Sequence, residues 1–389
     1  MTGRYEYRSG VHATRGPGQN MDLKAVTIAQ VMKSAGYSTG IFGKWHLGAE
    51  PEYQPWQRGF DMALSFSTGM IGEGTPPGMS LFDGNLWRNG KTERTKGFCT
   101  DVFFSEAMKW MADVKGKGPF FAYIPTNAPH TPLGCPEEFL KPYEGKAPTK
   151  SLTTYFGMIS NIDANVGKIR EKLKEWKIEN DTLIIFMSDN GASNHFKEKP
   201  APAAFYNAGM KGSKGSVEEG GTRVPSFWYW PNGFKGGVDV DRLAAHIDVF
   251  PTLAEAAGAK IPADLKLDGR SLLPLLKNPK ANWPDRFLFI HASNWGGPPM
   301  EHKDNGFAVR NEQYRLVGNK EFFDVKADRS QTKNVCDSHQ DITNKMKEAY
   351  NKWWDEVQPA LEANSKGDLP DDEEDNEKPK PKKKNKKEK

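Results

Sequence analysis

The sequence predicts an α/β protein: a doubly wound, largely parallel central sheet with helices on both faces, plus a small C-terminal antiparallel subdomain. Three observations predict it. Before residue 190, helical patterns alternate with short, near-continuous apolar runs, the pattern of a parallel sheet buried on both faces. Three of those runs end in loops rich in Lys, His, Asn and Asp, and ligands of doubly wound sheets bind beyond the carboxyl ends of the strands. From about residue 285 the pattern changes to short strands joined by turns.

The elements follow in order. The chain opens on "MTGRYEYRSG", a polar, turn-like stretch. In "DLKAVTIAQVMKSAG", Ala25, Ile28, Ala29, Met32 and Ala35 recur at helical spacing. Asp22 is the expected N-cap and Gly36 the stop. "YSTGIFG" reads as a buried strand running into Lys44, Trp45 and His46. A helix over 101–114 precedes the strand "GPFFAYIP", which ends in "TNAPHTP", a loop whose prolines bar further pairing. A long helix over 151–176 presents Tyr155, Ile159, Ile162, Val166, Ile169 and Leu173 on one face. "LIIFMS" follows as a fully buried strand ending at Asp189-Asn190-Gly191. A Gly-rich loop around Lys214 then leads into the aromatic strand "SFWYW", and "HIDVFPTLAEAAG" reads as an amphipathic helix. "RFLFIHA", "NGFAVRNEQYRLVG" and "KEFFDV" are short strands, and a helix covers 341–360. The organisation expected is a catalytic α/β domain over 1–284, the small subdomain over 285–363, and a disordered tail over 364–389.

The formal charge of +4 belongs to that tail. Residues 378–389 hold eight Lys and one Glu, or +7, so the remainder carries 4 − 7 = −3. The body is mildly acidic, and no nucleic-acid partner is expected. The tail, an acidic block followed by a basic one with almost no apolar residues, lacks the burial that would offset the entropy of ordering. No stretch approaches the roughly 20 apolar residues of a membrane span, and Met1 is not followed by the apolar core of a signal peptide. The three cysteines, Cys99, Cys135 and Cys336, form neither a disulfide framework nor a zinc spacing. Oligomeric state is not legible.

Singly, the polar motifs are ordinary: "DNG" is a common turn, and a His between prolines is usually a loop residue. Their combination and order resemble the type I sulfatase family of the alkaline phosphatase superfamily. "TGRY", "GYSTGIFGKWHLG", "PFFAYIPTNAPHTP", "SDNG", "KGSVEEGGTRVP", "HIDVFPTL", "LDGRSLLPLL" and "FFDVKADRSQTKN" match family blocks in sequence over roughly residues 1–335. The resemblance implies hydrolysis of sulfate esters, in which negative charge must be held, a nucleophile activated and a leaving oxygen protonated. It implies that Lys44 and Lys214 neutralise sulfate oxygens, that His130 contacts the sulfate and protonates the leaving group, and that His46 serves the nucleophile as base. It implies that Asp189 and Asn190 ligate Ca²⁺ or Mg²⁺, a hard cation suited to oxygen donors.

The resemblance also implies what this chain lacks. The family nucleophile is a formylglycine made from Cys or Ser in a Cys/Ser-x-Pro/Ala-x-Arg motif, and no Cys or Ser here begins that pattern. The family's first strand, ending in an Asp pair that completes the metal site, is expected to be missing too, leaving a gap in the sheet. The chain is therefore expected to be N-terminally truncated and catalytically inactive as it stands. Two alternatives remain: a phosphate or phosphonate ester hydrolase of the same superfamily, or a non-catalytic binder of sulfated glycans. The expected partner is a sulfate ester, either a small molecule or a sulfated glycan. The loop 291–305, with His291, Trp295 and His302, is the expected contact to the leaving group. Trp228, Tyr229 and Trp230 are a further candidate sugar-stacking surface, though core is the commoner role of strand aromatics. An exported or lysosomal location is implied by the family alone.

Overall fold

The computed structural model describes residues 1–74, 76–193, 206–292 and 298–364. The tail from residue 365 lies outside them. Among the described residues the strands form three sheets. The largest has the order β4-β3-β2-β1-β5. Its centre, β1 (Ser38–Lys44), runs parallel to β2 (Met62–Phe66) and to β5 (Phe120–Tyr123). An antiparallel hairpin, β3 (Asn85–Arg88) and β4 (Lys91–Arg94), closes the far side. Its turn is Asn89-Gly90, both at positive φ (46° and 83°), the residue pair that tight hairpins favour.

Helices cover both faces, as expected. Alternate residues of β1 point opposite ways. Phe42 joins Leu64 and Phe66 against α2 (Cys99–Val114), where Phe103, Ala107 and Met111 are buried. Ile41 joins Ala63 and Ala29 on the other face, beneath α1 (Ile28–Ser34), which packs on α6 (Val249–Ala256). α1 starts later than the sequence suggested. Its cap is Thr27, not Asp22: Thr27 Oγ1 accepts from the amide of Gln30, and Gln30 Oε1 accepts from the amide of Thr27, a reciprocal capping box.

Two further expectations need correction. α4 (Lys150–Glu175), reached through the single turn α3 (Glu137–Leu140), buries Leu152, Met158, Asn161, Ile162, Asn165 and Leu173, while Ile159 is 42% exposed. The face is rotated because two asparagines belong to it. Asn161 and Asn165 both donate to Asp101 on α2, at 2.8 and 2.6 Å. An apolar count overlooks polar residues that satisfy one another. The second correction concerns "LIIFMS". β6 (Ile184–Met187) pairs only with β7 (Ser226–Tyr229), antiparallel, in a sheet of its own. β5 likewise pairs on one side only. None of these strands is enclosed: Tyr123 on β5 is 36% exposed, Phe186 on β6 38% and Phe227 on β7 67%. Burial of an apolar strand comes from its neighbours, and here each has one flank without a strand among the described residues.

The single turn α5 (Glu219–Thr222) precedes β7, and α7 (Leu273–Lys277) packs with Trp283 and Trp228. Trp228 is thus a packing residue. The C-terminal unit is an antiparallel sheet, β11-β10-β9-β8, made of β8 (Leu288–His291), β9 (Phe307–Arg310), β10 (Tyr314–Val317) and β11 (Glu321–Asp324) and covered by α8 (Gln340–Asn364). Phe307 stacks on Tyr350 with centroids 3.9 Å apart. The opening stretch, read as polar, is part of this core. Tyr7 is fully buried, stacked on Trp353 at 5.8 Å, and Arg8 joins Asp268 and Glu356.

Candidate active site

The carboxyl ends of β1, β5 and β6 converge. At the end of β1, Gly43 has φ +137°, and the Lys44 amide donates to the Pro125 carbonyl at 2.7 Å. A Cβ on Gly43 would lie 2.0 Å from that oxygen, so only glycine lets the two strand ends approach. Trp45 is buried and tied down, its amide to Phe66 O at 2.9 Å and its indole to Tyr53 O at 2.8 Å. The anchor leaves its neighbours Lys44 and His46 half-buried at the rim. His46 sits at φ 52°, a left-handed conformation that costs a non-glycine residue about 1–3 kcal/mol and tends to persist at functional sites.

Beyond β5, Asn127 is buried, and its Oδ1 accepts from the amide of Ile71 at 3.2 Å. It thereby joins the loop carrying His130 to the loop carrying Glu73. Beyond β6, Asp189 and Asn190 lie in a turn stitched to the Lys214 loop. Gly191 N donates to Gly221 O at 2.9 Å, and Lys214 N to Ala192 O at 2.9 Å. A Cβ on Gly191 would stand 1.9 Å from Gly220 O.

The side chains are close enough to act on one another's charge. Burial lowers the Lys44 ammonium from its ordinary value; Asp189 opposes this and Lys214 adds to it. Burial also holds the His46 imidazole below its usual value, assisted by Lys44. The same holds for His130, where burial comes first and the charges of Lys214 and Lys44 add to it. Both rings are therefore neutral near pH 7. Their tautomers follow from their acceptors. His46 Nε2 meets Thr14 O at 2.7 Å, and His130 Nδ1 meets Thr131 O at 2.8 Å. A carbonyl only accepts, so the proton sits on those nitrogens, leaving lone pairs on His46 Nδ1 and His130 Nε2. Two cations and two neutral imidazoles around one rim make a site for an anion that undergoes proton transfer.

The structure thus brings together Lys44, His46, His130, Asp189, Asn190 and Lys214. It does not bring His291 to them as a free group. His291 is buried, with Nδ1 against Tyr7 Oη (3.0 Å) and Ala292 O (2.6 Å) and Nε2 against His302 O (3.0 Å). Both ring nitrogens are engaged, so it is a packing residue of the C-terminal unit, not a substrate contact. His302 lies near His12 and His291, whose imidazoles burial above all holds below their usual value. Trp295 lies outside the described residues. Sequence reading missed Glu73, whose charge acts on Lys44 and His46 and which pairs with Arg15 at 3.6 Å. It also missed His246, whose Nε2 reaches Ser188 O at 2.7 Å, next to Asp189. Glu73 stands in "GMIGEGTPPG", where only the glycines signalled an exposed loop.

The metal expectation can be weighed on the donors. Asp189 Oδ1 accepts from Asn190 N at 2.9 Å, and Asn190 Nδ2 donates to Gly191 O at 2.8 Å. Asp189 Oδ2 and Asn190 Oδ1 are left as hard oxygen donors. No group of three or more His, Cys, Asp or Glu side chains able to hold a metal occurs among the described residues. Two donors fall short of the roughly six to eight that calcium takes. The donor type suits Ca²⁺ or Mg²⁺, but two donors do not make a site for either. Two of the three thiols are poor nucleophiles: burial pushes Cys99 up to about 12 and Cys135 up to about 11.

Lysines, neutral imidazoles and a carboxylate thus gather where the ends of β1, β5 and β6 meet. A family model described as sulfatase matches residues 1–259, and the chain belongs to the sulfatase family. A second, described as N-sulphoglucosamine sulphohydrolase, C-terminal, matches residues 213–356. The chain is 30% identical over 314 residues to the uncharacterized sulfatase YdeN of Escherichia coli K12, covering 74% of this chain and 53% of that protein. It is 29% identical over 350 residues to human arylsulfatase A, covering 81% and 63%. The chain thus spans little more than half the length of these curated relatives. Among solved structures, it is similar to Ps i-CgsB in complex with k-i-k-neocarrahexaose: TM-score 0.77, 30% identity, 92% of this chain and 81% of that one. BT4656 in complex with D-glucosamine-2-N,6-O-disulfate shares the fold at TM-score 0.68 and 17% identity, covering 94% and 90%. No described helix is long and apolar enough to cross a membrane.

Proposed function

We propose that the chain carries the sulfate-binding part of a sulfuric ester hydrolase site whose substrate is a sulfated carbohydrate. The observation that supports this most is the convergence of Lys44 and Lys214 on one rim with His46, His130 and Asp189. In this reading the two ammonium groups neutralise sulfate oxygens as point charges. A bound anion offsets the lysine charges that add to burial in holding His130 neutral, so His130 Nε2 takes up a proton and passes it to the leaving oxygen. His46 Nδ1, with its lone pair, receives the proton of an attacking group. Asn127 and Trp45 hold these loops in register. A hard divalent cation would need oxygen donors beyond Asp189 and Asn190. The carbohydrate class rests on what Ps i-CgsB was solved with, and the exported or lysosomal setting rests on the family resemblance.

The chain by itself is proposed to bind sulfate esters without turning them over. No residue begins the formylglycine motif, and Cys99 and Cys135 are buried with raised thiols. Incubating the full chain with an aryl sulfate, with and without Ca²⁺, checks this. The expected result is no measurable sulfate release, together with binding that inorganic sulfate displaces. Robust turnover would contradict it.

A further inference from the structure

The loop that carries Lys214 is held by a buried ion cluster from the C-terminal sheet. Glu219, at the start of α5, is 2% exposed. Its Oε1 accepts from Arg310 Nε at 2.8 Å and from Arg315 Nε and Nη2 at 3.2 and 2.8 Å. Its amide donates to Gln331 Oε1 at 2.9 Å. Arg315 also reaches Val217 O and, at 3.0 Å, Thr222 Oγ1. Arg310 and Arg315, 8% and 3% exposed, stand directly opposite each other on β9 and β10. Like charges in that register repel, and removing them from water is costly. Among the described residues their ion-pair partner is Glu219 of the loop, and the charge of Glu218 also favours Arg315.

That loop is also the hub of the rim. Gly220 N donates to Lys211 O at 2.7 Å, closing the turn around Lys214, and Gly221 O accepts from Gly191 of the Asp189–Asn190 turn. Three positions in succession therefore share the work: Glu219 grips the C-terminal sheet, Gly220 closes the lysine loop, and Gly221 holds the β6 turn. We propose that Glu219, clamped by Arg310 and Arg315, is a positioning residue that sets Lys214 and the Asp189–Asn190 turn in their anion-binding arrangement. The C-terminal sheet thereby becomes part of the site without touching the substrate. The part concerning sulfate rests on the function proposed above.

The test uses the full chain and two readouts: hydrogen exchange at the amides of Gly191, Lys214 and Gly220, and affinity for inorganic sulfate. Glu219→Gln removes the carboxylate that pairs directly with two buried cations. Arg310→Met is the milder variant, keeping the Glu219–Arg315 pair, and carries the test if the first does not fold. Asp101→Ala, which loosens α2 against α4, is the control for general destabilisation. The expected result is exchange at least about ten-fold faster at the three amides in Glu219→Gln and a few-fold faster in Arg310→Met. Sulfate affinity is expected to fall in parallel, and Asp101→Ala to leave both readouts unchanged. Wild-type exchange at those amides in the cluster variants overturns the proposal, as does equal loosening in the control. If the amides loosen but the wild type binds no sulfate, the positioning role stands and the sulfate reading falls.

Discussion

The two-stranded sheet of β6 and β7 and the four-stranded sheet under α8 are both built from aromatic-rich strands, yet they end in opposite states. Phe186 and Phe227 pair across β6 and β7 with ring centroids 6.3 Å apart and are 38% and 67% exposed. In the C-terminal unit Phe307, Phe322, Tyr350 and Trp354 are at most 1% exposed. Composition does not separate the two regions. Coverage does: the four-stranded sheet has a 25-residue helix across it and the tyrosines of the opening stretch in its core, whereas β6 has one strand neighbour among the described residues. The site draws on both, taking Asp189 and Asn190 from the open region and the clamp on Lys214 from the closed one.

The comparison can be tested first on stability. Trp354→Ala is expected to cost about 3–5 kcal/mol, the range for emptying a large buried aromatic, whereas Phe186→Ala should cost about 1 kcal/mol because much of its ring never leaves water. Urea unfolding of the two variants measures the gap, and equal losses would mean that β6 is as enclosed as the C-terminal core.

Acid separates the regions next. Burial pushes the Glu219 carboxyl up, but Arg315 and Arg310 outweigh it and hold the group below its ordinary 4.5. The folded state then binds fewer protons than the unfolded one between the folded value and 4.5, so stability rises with pH there. The contribution is full above pH 4.5 and is lost as pH falls through the folded value. Melting temperatures from pH 6 to pH 3 should fall with a slope that Glu219→Gln reduces; an unchanged slope would mean that the cluster contributes nothing to it.

Smaller effects are expected at the open sheet. Phe227→Ser should change stability by less than about 0.5 kcal/mol yet reduce self-association in light scattering, because an exposed apolar edge is a template for pairing. Smallest of all is metal removal. With two oxygen donors, Ca²⁺ binding should be weak, and chelation should shift the melting temperature by less than about 1 °C. A larger shift would show that further ligands reach Asp189.

Much of this was legible in the sequence because local chemistry decides it. The apolar run of β1, the β8–β11 turns and the ordered blocks around Lys44, His46, His130, Asp189, Asn190 and Lys214 announce themselves without knowledge of neighbours. What the sequence hid depends on partners far along the chain. Asn161 and Asn165 look like surface residues until Asp101 faces them. His291 looks like a free imidazole until Tyr7 and His302 take its nitrogens. Glu219 reads as one more charge in "VEEGG" until two arginines from another sheet surround it. Exposure at β6 is also non-local, since an apolar strand cannot state how many neighbours it has.

In the proposed function, Lys44 and Lys214 hold a sulfate group at the shared rim of β1, β5 and β6. Calorimetric titration of the full chain with sodium sulfate tests it most directly, run on the wild type and on Lys44→Ala and Lys214→Ala. Saturable binding is expected at low ionic strength, weakening with added salt and dropping at least about ten-fold in either variant. Binding of equal strength in all three proteins would contradict it.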